Sequence, residues 1–240
     1  MAAVLTGTPV SVVWNTDQNP APQDVTIPAD ATAVYMFWSY YSATSGYGLL
    51  SATLNSQNPN QTSEVAGTGG GAGCGVAVWY NPSTGAQSLD VSWDAAPGTN
   101  MQACIVAFVK DGNTTAWTDV DSQRSDTSVA TFTIDSAATS LVLLFNGQEG
   151  TSPAAPTGWT SKKTYTPGGI DQRLSQCDAP DASATSVNGT GTNYETIVAV
   201  SIPPAAGGGP YTAAGTGSMA PAGAPPTRRL VMARTKTGAL

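Results

Sequence analysis

The chain predicts an all-β fold: an antiparallel, jelly-roll-like β-sandwich with an extended C-terminal arm rich in Pro, Gly and Ala. Three observations lead there. Turn signals recur about every 8–12 residues, the rhythm of short strands in a sandwich or barrel. Residues 87–93 alternate strictly, with Leu89, Val91 and Trp93 facing one way and Ser88, Asp90 and Ser92 the other, the period of a half-buried strand. No segment shows a sustained apolar stripe of helical period with caps, and the best helical candidate is a short turn near Asp178 to Ala184.

The strands follow in order. Val10 to Trp14 is a short apolar run ended by the turn-rich Asn15 to Pro22. Val25 to Ile27 stops at Pro28, and Pro28-Ala-Asp-Ala reads as a turn. Thr32 to Tyr41 is a long aromatic strand, Gly48 to Asn55 follows, and Thr62 to Val65 is polar. The glycine run Gly67 to Gly75 predicts a loop, with no Lys and no phosphate-loop spacing. Gly75 to Tyr80 leads through Asn81-Pro-Ser-Thr-Gly85, a turn of the Pro-then-Gly kind, into the alternating strand. Met101 to Val109, Val129 to Ile134, Ser140 to Phe145, Gly169 to Cys177 and Glu195 to Ile202 complete about a dozen strands, expected as two packed sheets. Trp14, Trp38, Trp79 and Trp93 fall in strands and are expected in the core. An internal echo relates residues 24–38 to residues 131–145: each is a strand, a short turn and an apolar strand. It reads either as a duplicated module or as hairpin grammar that sandwiches reuse.

Only 10% of the residues are charged and 40% are hydrophobic, a composition of many all-β surface proteins, whose outward strand faces use Ser and Thr. The net charge of −7 argues against nucleic-acid binding by the body, which would need basic patches. No apolar run is long enough for a membrane span. The start, Met1-Ala-Ala-Val-Leu-Thr-Gly, lacks a basic n-region and a long apolar h-region, so synthesis in a cytoplasm without a signal peptide is expected. Cys104 reads as a buried thiol in an apolar strand. Cys74 and Cys177 are open to a disulfide, with reduced thiols the default.

Three stretches carry a resemblance: Val-Thr-Ile-Pro-Ala-Asp-Ala-Thr at 25–32, Val-Ala-Val-Trp-Tyr-Asn-Pro-Ser-Thr-Gly-Ala-Gln-Ser-Leu-Asp-Val-Ser-Trp at 76–93, and Ile-Val-Ala-Phe-Val at 105–109. Thr26 to Gly147, about half the chain, resembles β-sandwich modules of bacteriophage structural proteins and bacterial surface proteins. The resemblance implies a virion or surface location, in a multimeric assembly. A start without a signal peptide fits a phage particle made in the host cytoplasm better than a secreted protein, with other capsid or tail subunits or further copies of itself as the expected partners. It implies no catalytic residues and no cofactor.

The residues support that expectation. The chain has no histidine, which removes the usual general base and the commonest zinc ligand. Paired carboxylates could still do glycosidase chemistry, but nothing singles out a pair among Glu64, Glu149, Glu195 and the aspartates. Asp119, Asp121 and Asp126 could supply oxygen ligands to Ca²⁺, although the loop glycine and bidentate Glu of a Ca²⁺ hand are missing; the alternative is a solvated acidic loop. Trp117 and Trp159 sit in polar surroundings and are candidates for an exposed glycan platform, which would make the protein a host-surface glycan-recognition module.

The sharpest feature is the C-terminal arm. All 16 acidic residues precede position 196, whereas Arg228, Arg229, Arg234 and Lys236 lie in the last stretch. The division expected is a sandwich domain at 1–202, a flexible linker at 203–227 in which 19 of 25 residues are Pro, Gly or Ala, and a basic-apolar anchoring segment at 228–240. Such a linker buries too little apolar surface to order itself. The terminal segment can be read as a solvated end, as a strand docked on a protein through Leu230, Val231 and Met232 with its cations on acidic groups, or as an arm on phosphates. The docked strand fits the apolar triplet best, so nucleic acid and membrane are not expected partners. The sequence therefore points to a non-enzymatic virion protein decorating a capsid or tail and tied to its neighbours by the arm.

Overall fold

The computed structural model describes residues 2–14, 19–41, 48–65, 72–93, 102–125, 127, 129–150, 152–166, 170–189 and 194–205, within one compact unit, Met1–Gly209. The linker beyond residue 205, the anchoring residues Arg228, Arg229, Leu230, Val231, Met232, Arg234 and Lys236, and Asp126 lie outside the described residues.

The fold is all-β. Sixteen strands are present among the described residues: β1 (Val4–Leu5), β2 (Val10–Trp14), β3 (Gln23–Ile27), β4 (Ala33–Tyr41), β5 (Leu49–Leu54), β6 (Gln61–Val65), β7 (Ala72–Tyr80), β8 (Gly85–Trp93), β9 (Gln102–Lys110), β10 (Asp119–Ser125), β11 (Phe132–Asp135), β12 (Leu141–Glu149), β13 (Trp159–Tyr165), β14 (Ile170–Cys177), β15 (Ala184–Val187) and β16 (Glu195–Ile202). They form not two sheets but four, paired antiparallel throughout. A six-stranded sheet runs β1-β9-β4-β7-β6, with β2 also on β9; a five-stranded sheet runs β10-β16-β12-β14-β13; β3-β8-β5 and β11-β15 make two small sheets.

Three apolar clusters order these sheets as layers. The first joins the inner face of β3-β8-β5 (Ile27, Leu54, Leu89, Trp93) to one face of the six-stranded sheet (Met36, Trp38, Trp79, Phe108). The second joins the other face of that sheet (Tyr35, Phe37, Val76, Ile105) to the five-stranded sheet (Leu143, Phe145, Leu174, Val200). The third joins the far face of the five-stranded sheet (Leu144, Ile197) to Ile134 and Val187 of the last pair. Both large sheets are therefore covered on both sides. That explains why β4, β7, β12 and β16 read as nearly unbroken apolar runs, whereas β8, covered on one side, alternates: Leu89, Val91 and Trp93 are buried and Asp90 is exposed.

The internal echo is architectural. Exchanging β2, β9, β4, β7 and β6 for β10, β16, β12, β14 and β13 converts one large sheet into the other, and β3-β8 into β11-β15. Several contacts between halves repeat under the same exchange: β7 lies on β16 as β14 lies on β9, and β6 neighbours β10 as β13 neighbours β2, whereas β10 on β7 and β14 on β4 are closer than their counterparts. This is the reciprocity of a two-fold interface, here within one chain. The correspondence slips by one residue across the turn. Ile27 matches Ile134, both second-sheet residues, but the strand facing then requires Phe37 to match Phe145. These matched phenylalanines stack on each other, with centroids 5.8 Å apart.

Other expectations shift locally. The strand expected from Gly75 begins at Ala72, so the end of the glycine run is sheet rather than loop. The segment expected to turn helically at 178–184 has no helix and leads into β15. Strands β1, β10, β13 and β15 were not expected. Cys74, Cys104 and Cys177 are free thiols, Cys74 in the central cluster and Cys177 in the outer one. Burial raises the pKa of each. Near the surface, Asp30 accepts a 2.6 Å hydrogen bond from the Thr6 hydroxyl and pairs with Lys110 at 3.2 Å; these hold its carboxyl below the usual aspartate range.

Candidate functional site

The tryptophans read as a glycan platform sit in two different places. Trp159 opens β13 and is only 8% exposed, packed in the outer cluster with Val142, Leu144 and Cys177. It is a core residue because β13 turns that position inward, leaving only a small part of the ring at the surface. Trp117 precedes β10, is half-buried and packs against the central cluster.

The acidic candidates Asp119 and Asp121 lie on strand β10 rather than in a loop. Each is occupied. Asp119 accepts the backbone N–H groups of Val120 and Asp135, at 2.9 Å each, and Asp121 accepts the Gln123 amide at 2.9 Å. Among the described residues no His, Cys, Asp or Glu group is arranged to hold a metal ion.

Of the carboxylates named from the sequence, Glu195 is fully buried. Its Oε1 accepts the Asn146 amide and its Oε2 accepts the Val129 N–H, both at 2.7 Å. A Cβ added at Gly189 would lie 2.6 Å from that Oε2 and 2.2 Å from the Val129 carbonyl oxygen, so the loop approaches closely only because residue 189 has no side chain. Glu195 thus pins a loop to the sheet. Glu64, on edge strand β6, accepts the Leu49 N–H at 3.0 Å, and Glu149 ends β12.

One surface concavity among the described residues involves none of these side chains. It is a cleft of about 330 Å³ at the end of the first half, where the chain passes from β5 to β6 and from β7 to β8. Six carboxamides line it: Asn55, Gln57, Asn58, Asn60, Asn81 and Gln87. The backbone presents them through two tight turns. Leu54 and Gln57 exchange N–H···O bonds of 3.0 Å around Asn55 and Ser56, whose φ values are +49° and +64°, a two-residue turn of the kind whose twist suits adjoining strands. Asn81 also has a positive φ, +50°, a conformation asparagine tolerates better than most residues. The turn is fastened by the Trp79 indole N–H, which donates to the Gln57 carbonyl at 2.8 Å, and by Asn60 Oδ1, which accepts the Tyr80 N–H at 2.7 Å. The lining carries no ionisable side chain except the Tyr80 phenol. That phenol donates to Gln61 at 2.9 Å and packs against the central cluster; burial raises its pKa.

A second cleft, about 260 Å³, occupies the matching place in the other half, lined by Thr157, Trp159, Cys177, Asp178 and Asp181. The registers of β6-β7 and β13-β14 place Trp159 where Asn60 stands and Cys177 where Trp79 stands.

No family model, curated protein or solved structure matches the chain. The carboxamide cleft was hidden in the sequence because its members come from two separate turns. The signal that was available is the run Asn55-Ser-Gln-Asn-Pro-Asn60, unusually dense in amides for a simple connection.

Proposed function

We propose that the protein is a non-enzymatic structural protein of a bacteriophage virion, decorating the capsid or tail, and that each half of its body is a jelly-roll-like sandwich. The observation that carries this reading is the strand order. Strands β2-β9-β4-β7 face β3-β8-β5, and the order recurs as β10-β16-β12-β14 facing β11-β15. Jelly rolls build viral capsid and lectin domains. This is an argument from fold analogy, joined to the three resembling stretches at 25–32, 76–93 and 105–109 and to the absence of histidine.

Attachment to neighbouring subunits is assigned to the arm. The body through Ile202 has five basic and sixteen acidic residues, and the segment after it has four basic and none acidic. Opposite charge steers the arm toward a neighbouring body, and Leu230, Val231 and Met232 supply apolar contact for strand addition. The chain stays bonded to the body slightly beyond Ile202: Asn113 N–H donates to the Pro203 carbonyl and Ala205 N–H to that of Asp111, each at 2.8 Å. The test is therefore a phage gene ending after codon 205. The shortened chain should keep the circular dichroism and melting temperature of the full chain but be missing from purified particles by mass spectrometry. Incorporation at the full-length level would overturn the assignment of anchoring to the arm.

A further inference from the structure

We infer that the carboxamide cleft between the β5–β6 and β7–β8 connections binds a neutral oligosaccharide. This goes beyond a structural role, since it gives the body a ligand of its own. The argument begins with donors and acceptors. A primary carboxamide presents two N–H donors and a carbonyl acceptor in one plane. Sugar hydroxyls are likewise both donors and acceptors, so neighbouring hydroxyls can exchange hydrogen bonds with one amide.

Four of the six amides, those of Asn55, Gln57, Asn58 and Asn81, make no side-chain hydrogen bond to other described residues. Asn55, Gln57, Asn58 and Asn81 are exposed, so their hydrogen-bonding capacity faces solvent. The remaining two are tied: Asn60 to the Tyr80 N–H, and Gln87 to the Thr84 carbonyl at 3.1 Å. The cleft therefore combines fixed walls with free amides. Its volume of about 330 Å³ is at the lower end of small-ligand sites and suits a short stretch of sugar rather than a large cofactor. With no carboxylate, ammonium or guanidinium in its lining, it has no complement for a charged ligand and no acid-base pair to cleave a glycosidic bond. Binding without hydrolysis is the activity it can support.

The duplicated architecture supplies an internal comparison. The matching cleft of the second half has Trp159, Cys177, Asp178 and Asp181 and no carboxamide at all. The β14–β15 connection, which matches β7–β8, carries no amide there, so the shared part of the fold does not itself require them; β5 has no counterpart among the described residues, and the amide-rich β5–β6 turn is particular to the first half. The difference points to a ligand.

The test uses the full chain labelled with ¹⁵N and titrated with maltohexaose, cellohexaose, chitohexaose and mannohexaose, each to about 10 mM, the weak end of single-site sugar affinity. Side-chain amide signals of Gln57, Asn58 and Gln87 should shift with at least one of the four. The double variant Gln57→Ala/Asn58→Ala should weaken that binding about tenfold or more. Neither of these side chains holds a described residue in place, so the variant should keep the wild-type melting temperature. Thr157→Ala, in the matching cleft, should leave the affinity unchanged. Absence of shifts with all four sugars overturns the inference. So does binding that survives the double variant, or shifts confined to the residues around Trp159.

Discussion

A tight constraint on a single residue lies where the two halves meet. Gly147 corresponds to Ser39 across the internal two-fold, and a Cβ added at Gly147 would fall 2.5 Å from Ser39 Oγ and 2.7 Å from Thr196 Oγ1. Ser39 Oγ is itself held, accepting the Gln172 amide at 2.9 Å in a fully buried setting. Neither oxygen can retreat without breaking buried polar contacts. Gly147→Ala should therefore cost about 1–3 kcal/mol, as overpacking does, and lower the melting temperature by several degrees for a body of this size. A melting temperature equal to wild type in a thermal scan would mean that the two sheets part more easily than their packing indicates. No sequence signal marks this glycine, because what excludes a side chain there is a serine more than a hundred positions away.

Among the elements, legibility followed coverage. Strand β8, covered on one face, is written in alternation and was read correctly from the sequence. Strands β4, β9, β12 and β16 were read as strands from their apolar runs, but the runs did not say that two faces needed partners, and so four layers were read as two. The strands not foreseen are chiefly polar. β10 and β13 are edges of the five-stranded sheet, and their sequences, Asp119-Val-Asp-Ser-Gln-Arg-Ser125 and Trp159-Thr-Ser-Lys-Lys-Thr-Tyr165, carry the charges that discourage pairing with other chains. β13 also has a register break between Ser161 and Lys163, a common device at edges. The same polarity that protects an edge hides it from a reading based on hydrophobic period. The candidate site was less legible than the fold. The polar sequence neighbours of Trp159 suggest exposure, whereas the strand turns it inward, and the amides that gather at the cleft lie up to 32 positions apart.

The central pair of strands offers a direct measure of coupling between the halves. Phe37 of β4 and Phe145 of β12 are both fully buried and stack with an interplanar angle of 17°. Phe37→Ala and Phe145→Ala should each cost about 3–5 kcal/mol. In a double-mutant cycle by denaturant unfolding, the pair should show a coupling of about 0.5–1.5 kcal/mol. Strict additivity would mean that the stacked geometry contributes nothing beyond the area each ring buries.

For the whole molecule, the reciprocal contact between halves has a kinetic side. The first half is made first, and its face bearing Tyr35, Phe37, Val76 and Ile105 has no cover until the second half is synthesised, about 5–20 s later at ordinary elongation rates for roughly ninety more residues. During that interval the face can meet the same face on another nascent chain. Because the two halves share one architecture, a neighbour's second half also fits it. Only the short link from Lys110 to Asp119 favours the partner in the same chain. Refolding from denaturant should therefore yield a dimer of exchanged halves whose share rises with protein concentration, separable from the monomer by size-exclusion chromatography. Monomer alone at every concentration would show that the link enforces pairing within the chain faster than chains meet. Those eight intervening residues would then be the device that keeps each copy paired with itself.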